Sequence, residues 1–197
     1  MPSRVFLKVL SGHCPIDELL DQLDLSELAD DMERLWSKSV ERLDEGLVME
    51  HAATIVMRTN GALKLVNEVV GSSLHVMPDF TVAAPNVFVG TFHTHPRTDG
   101  LLPMPFSYTD FVSAIQLRER LSVLYSDQLV FALVRTAMTA DHADPFTMGN
   151  EWRAFLHGVN ERSELFLDTI WDFNKWFAEK YGFGLYMGIP DMLTREV

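Results

Sequence analysis

The sequence predicts an α/β (α+β) domain, a mixed β-sheet flanked by helices, with a helical C-terminal extension. Three observations carry this prediction. Residues 26–46 and 107–126 place apolar side chains at helical spacing. Residues 52–58, 62–70, 86–96 and 128–136 are short and rich in β-branched and apolar types, as strands are. Residues 151–184 form a mostly helical, aromatic-rich stretch after the last of these strands.

The elements follow in order. Residues 4–10 read as a short strand or apolar arm, and the acidic, turn-rich stretch after them puts Leu19, Leu20 and Leu23 at helical spacing. Ser26 opens the first clear helix, with Leu28, Met32, Leu35, Ser39 and Leu43 on one face, Trp36 and Val40 beside them, and Gly46 placed to end it. Thr59-Asn60-Gly61 is a hairpin turn between the first two strands, because Asn-Gly accepts the positive φ angles of a tight turn. The strand over 86–96 is mostly apolar, which predicts a buried central position, and Pro96 ends it for want of an N–H to give the ladder. A Pro/Gly loop leads to the second helix, taken as 107–126 with Phe111, Ile115 and Leu121 among its apolar positions. The strand over 128–136 and the aromatic stretch follow, and residues 185–197 trail off without a predicted element. The organisation is therefore an N-terminal arm over 1–25, a domain over 26–140 and a helical extension over 141–197.

Bulk properties narrow the function classes. A chain of 197 residues can bury a substantial core, and 47% hydrophobic with 22% charged residues is ordinary for a globular protein. The formal charge of −12 disfavours phosphate backbones, so no nucleic-acid partner is expected. The single cysteine, Cys14, allows neither an intrachain disulfide nor a Cys-rich zinc site, and it fits a reducing compartment. No apolar run approaches the ~20 residues of a membrane span, and the N-terminus lacks a signal-peptide core. The expectation is a cytoplasmic protein without a membrane partner. No Gly-rich phosphate loop or dinucleotide fingerprint is present.

The chemistry concentrates in residues 90–111, GTFHTHPRTDGLLPMPFSYTDF. Side chains alternate along a strand, so His93 and His95 share a face, roughly 6 to 7 Å apart along the chain. That spacing lets two imidazoles converge on one metal, and Asp110 in the first turn of the next helix supplies a third ligand. Three protein ligands and a water make the pattern of a catalytic zinc site, in which the water becomes a nucleophile near neutral pH. A carboxylate must still move its proton, and the Ser107 hydroxyl is placed to steady an oxyanion. Ser107 and Asp110 also read as a capping box, with Ser at the N-cap and an acid three residues on.

The strand ending in Gly-Thr-Phe-His-Thr-His-Pro, followed by Ser-Tyr-Thr-Asp, resembles the motif of the JAMM zinc metallopeptidases, the catalytic MPN (JAB) domains, over residues 26–136. The resemblance implies an MPN/JAB-like sheet and a Zn2+ ion held by His93, His95 and Asp110. It also implies Ser107 as the oxyanion-stabilising residue and a glutamate general base at the start of the first sheet strand. Glu50 fits that position best, Glu45 second, and Glu68 less well. Eleven residues separate His95 from Ser107, a longer loop than is usual in the family. The implied activity is hydrolysis of an amide at the C-terminus of a ubiquitin-like protein or peptide. A non-hydrolytic MPN-like scaffold and a peptidoglycan- or toxin-associated hydrolase are the alternatives. Among other histidines, His51 is expected to face away from Glu50, and His75, His142 and His157 show no partnering pattern. The aromatic stripe from Trp152 to Phe177, Phe166 included, reads as a helical layer on the sheet, or as a face for a partner or a second copy.

Overall fold

The computed structural model describes residues 10–98, 103–157 and 164–197. The expected strand over 4–10 falls almost wholly outside them, as does the side chain of Phe166. Within them lie eight strands, β1 Gln22–Asp24, β2 His51–Met57, β3 Leu63–Val70, β4 Val87–Thr94, β5 Leu121–Ser126, β6 Leu129–Arg135, β7 Phe183–Ile189 and β8 Met192–Arg195. Four α-helices accompany them, α1 Ser26–Ser39, α2 Tyr108–Gln116, α3 Pro145–Leu156 and α4 Glu164–Tyr181. The strands form one mixed sheet in the order β1-β8-β7-β6-β5-β4-β2-β3. Each ladder is antiparallel except β4 with β5.

The single parallel pair explains the chain path around residues 95–120. Parallel neighbours cannot be joined by a tight turn and need a crossover. Here the crossover is the 95–107 connection, α2 and a turn at 117–120. The return to β5 is close enough that a Cβ on Gly90 would lie 1.9 Å from the Leu121 carbonyl oxygen, so β4 takes glycine there.

Two apolar layers cover the sheet. On one face Leu28, Met32 and Leu35 of α1 pack with Ile55, Phe92 and Val123. On the other, Phe106, Phe111 and Ile115 pack with Leu124, Phe131, Phe173 and Phe177 under α2, α3 and α4. Trp36 stacks on Tyr125 with ring centroids 5.2 Å apart.

Several sequence expectations are corrected. The first helix stops at Ser39; a 3-10 turn, Leu43–Glu45, follows before Gly46 takes φ 71, and Leu43 is 42% exposed instead of lying on the buried face. The second helix ends at Gln116, and its supposed continuation is strand β5. Arg118 reverses the chain with a φ of 52, a turn made without the glycine or proline that announces one. The C-terminal extension is only partly helical, because Phe183–Ile189 and Met192–Arg195 form a hairpin in the main sheet. Leu23 belongs to β1, paired with Leu193, rather than to a helix.

Candidate metal centre

The centre is built at the carboxyl end of β4. Thr91 and His93 point from β4 to the α2 side of the sheet, with Phe92 on the other side in the α1 layer. His95 continues the alternation one residue past β4, its N–H donating to the Tyr125 carbonyl and its carbonyl accepting from the Ser126 hydroxyl. α2 starts beside them, with Ser107 as N-cap and Asp110 in the first turn.

His93, His95 and Asp110 each offer one ligand atom, all within 4.8 Å of one another. The two Nε2 atoms lie 3.2 Å apart. His93 Nε2 is 3.3 Å from Asp110 Oδ1 and His95 Nε2 is 3.8 Å from Asp110 Oδ2. Two nitrogens bound tetrahedrally at ~2.0–2.1 Å would be about 3.3 Å apart, so the imidazole pair has the spacing of a tetrahedron's edge. His95 Nδ1 is buried beside the backbone of Met104 and Pro105, with no close hydrogen-bond partner among the described residues. The donor chemistry and the spacing both fit a divalent cation.

Asp110 reconciles the two readings of its motif. Its Oδ2 accepts from the Ser107 N–H, which is its half of the capping box, and also from the Ser107 hydroxyl, each at 2.7 Å. Its Oδ1 faces His93. One carboxylate thus supports the helix start with one oxygen and offers the other to the histidines.

The electrostatics follow from burial and proximity. Burial works to raise the Asp110 carboxyl, but His93, His95 and the Ser107 bond together hold it below the ordinary carboxylate range. Burial works to depress His93, and Asp110, Glu50 and Glu119 overcome it, so the ring's proton affinity is raised. His95 drops to about 4, chiefly through burial and with help from His93, which keeps it a neutral, ligand-ready imidazole.

Glu50 immediately precedes β2, whose Ala52 pairs with His93, so Glu50 shares a strand face with Ala52, His93 and His95. It is 7% exposed, and its backbone is tied by bonds to Gly71 and Ser72 just past the end of β3. Burial, then the Asp110 charge, push its carboxyl up to about 7 against the pull of His93. Glu45 is exposed, bonded to Arg42 and absent from the cavity lining. Glu68 sits on β3, held by Arg34 and Lys38, which keep its carboxyl low at about 2. His51 and His75 line the cavity, His51 half-buried beside Glu50.

The triad opens into a groove of ≈ 1380 Å³. One wall is α2; the other is the connection between β3 and β4, with Leu74, Met77 and Phe80 exposed along it. Sequence reasoning missed Glu119, which lines the same groove although 1% exposed. It accepts from the Thr91 N–H at 3.2 Å and from the Thr91 hydroxyl, and burial raises its carboxyl to about 7. Its only signal was an acid beside an apolar run, and that run was assigned to a helix. Sequence reasoning also missed Asn174, buried on α4 and bonded to the Phe106 carbonyl at 3.0 Å. Residues 99–102 of the long 96–106 loop lie outside the described residues; its last part returns to the sheet, with the Met104 N–H on Ser126 Oγ at 3.0 Å.

Glu50 has a testable thermodynamic consequence. An acid raised from 4.5 to about 7 is penalised in its charged form in the folded state. Folded-state stability therefore falls as pH rises from 4.5 towards 7, and the penalty is complete above that. With chelator present, Glu50→Gln is expected to be about 1–3 kcal/mol more stable than wild type at pH 8, allowing for residual solvent screening, and equal to it near pH 4.5. Urea unfolding at the two pH values measures this; a pH-independent difference would refute it.

Comparison of the chain with protein-family models, with curated proteins and with solved structures returned no match. Among the described residues no helix is long and apolar enough to cross a membrane.

Proposed function

We propose that the protein is a zinc-dependent peptidase or isopeptidase with an MPN/JAB-like sheet, acting in the cytoplasm on an extended polypeptide. The observation that carries this reading is the convergence of His93, His95 and Asp110 in one groove with a buried glutamate and a serine hydroxyl. A zinc ion held by the triad would supply Lewis acidity to a scissile carbonyl and to water. Glu50 takes the proton from the attacking water and returns it to the leaving amine; burial raises its carboxyl, and the charge of a bound ion would draw it back down, so that it starts as the carboxylate a base must be. The Ser107 hydroxyl, which rests on Asp110, turns to donate to the developing oxyanion. The open groove and the exposed Leu74, Met77 and Phe80 along one wall suit an extended tail, such as the C-terminus of a ubiquitin-like protein or a related peptide. A complete donor set beside a buried acid favours hydrolysis over a non-hydrolytic scaffold.

The test is direct. Purified protein is expected to take up one zinc per chain and to cleave at least one member of a panel of fluorogenic peptide and isopeptide substrates. Chelator should stop the cleavage and added zinc restore it. Full occupancy with no cleavage across the panel would favour the scaffold reading; no uptake would remove the metal from it.

A further inference from the structure

We propose that Asn174, on the C-terminal helix α4, is a positioning residue for the metal centre, an inference that rests on the metal reading of the triad. Asn174 is 0% exposed, within the layer formed by Phe106, Phe111, Phe173 and Phe177. A primary amide buried there is costly unless its polar atoms are used. Its Nδ2 donates to two carbonyls, Ile170 of its own helix and Phe106, each at 3.0 Å, while Oδ1 has no partner among the described residues. The opposite amide orientation would set oxygen against two carbonyl oxygens, so the chemistry fixes this one.

The Phe106 carbonyl and the Ser107 N–H belong to one peptide group. That group is trans and planar, so its C=O and N–H point in opposite directions and turn together. Asn174 holds one end; the other donates to Asp110 Oδ2 at 2.7 Å. The relay therefore runs from α4, through a single peptide plane, to the carboxylate of the triad. It keeps Oδ2 engaged and leaves Oδ1 as the oxygen facing His93 at 3.3 Å. Freed from Asn174, the 106–107 peptide can rotate, withdraw its N–H and let the Asp110 carboxylate turn. The Phe106 ring adds a packing link, with its centroid 6.4 Å from that of His93.

Zinc affinity, measured by competition with a chromophoric chelator, separates this role from general support of the core. Asn174→Leu is expected to bind zinc about 10-fold more weakly than wild type, the low end of the effect of losing a direct partner of a ligand, since Asn174 acts through the peptide that is that partner. Phe177→Leu opens a void in the same aromatic layer but breaks no hydrogen bond to the site, so it should bind like wild type even if it unfolds at lower temperature. Asn174→Ser, whose short hydroxyl donates to the Ile170 carbonyl one turn back, keeps a satisfied polar group but not the bond to Phe106, and should bind as weakly as Asn174→Leu; if Asn174→Leu does not fold, Asn174→Ser is compared with Phe177→Leu instead. Equal affinity in wild type and the Asn174 variant, or an equal loss in Phe177→Leu, would overturn the relay alone. A wild-type chain that takes up no zinc would overturn the metal reading, and the relay with it.

Discussion

Glu50→Gln is expected to retain zinc and to lower turnover by about 10²- to 10⁴-fold. Glutamine keeps the shape and burial of the side chain but cannot carry a proton. The groove and the triad are untouched, so KM and metal content should stay near wild type while kcat falls. The direction of the stability change is opposite, since the variant removes a buried carboxylate whose charged form is penalised. A variant less active yet more stable is the signature of a group held against its own solvation for the sake of chemistry. Retained turnover would move the base elsewhere. Glu45 is already committed to Arg42 and Glu68 to Arg34 and Lys38, so the next acid to replace would be the buried Glu119.

His95→Ala is expected to abolish stoichiometric zinc binding, and with it all metal-dependent cleavage. Two protein ligands remain, fewer than a catalytic zinc site uses. The fold should survive: His95 is tied to β5 through its backbone, and its ring contributes a buried Nδ1 with no close hydrogen-bond partner among the described residues. Asp110→Ala makes an instructive contrast. It too should lose the metal, but it also removes the acceptor of the Ser107 N–H, costing about 1 kcal/mol at the start of α2. Metal analysis beside thermal unfolding distinguishes the two. Equal destabilisation by both variants would contradict the double role of Asp110, and full zinc retention by His95→Ala would contradict the ligand set.

The legible part of the molecule was the part with short-range signals. β4 carried its apolar run and its two histidines in alternation, and the Ser107–Asp110 spacing marked a helix start that the structure places beside them. The hairpin at Asn60-Gly61 was legible for the same reason. What escaped depended on partners far along the chain. β5 is buried throughout, so it shows no strand alternation, and Leu121 kept the helical count going. β1 is three residues long and exists because β8 pairs with it. β7 and β8 flank Pro190-Asp191, a turn signal passed over beside so long an aromatic helical stretch. Glu119 and Asn174 are polar residues whose burial no local pattern announces. The aromatic stripe divides, Phe173 and Phe177 entering the core while Trp176 stays 38% exposed.

The pairing of β1 with β8 has a kinetic consequence. The strand at one edge of the sheet comes from residues 22–24 and its neighbour from residues 192–195, so this ladder closes a far longer loop than any hairpin of the sheet. Such contacts are entropically the most expensive to nucleate and tend to form late. On a ribosome, β1 emerges long before β8 exists, while β4, α2 and β5 can already have met. Nascent chains should therefore assemble the histidine end of the sheet first, and acquire α4, with its amide on the Phe106 carbonyl, only after synthesis has passed residue 181. The order of synthesis would make competence for metal a late event in the life of each molecule.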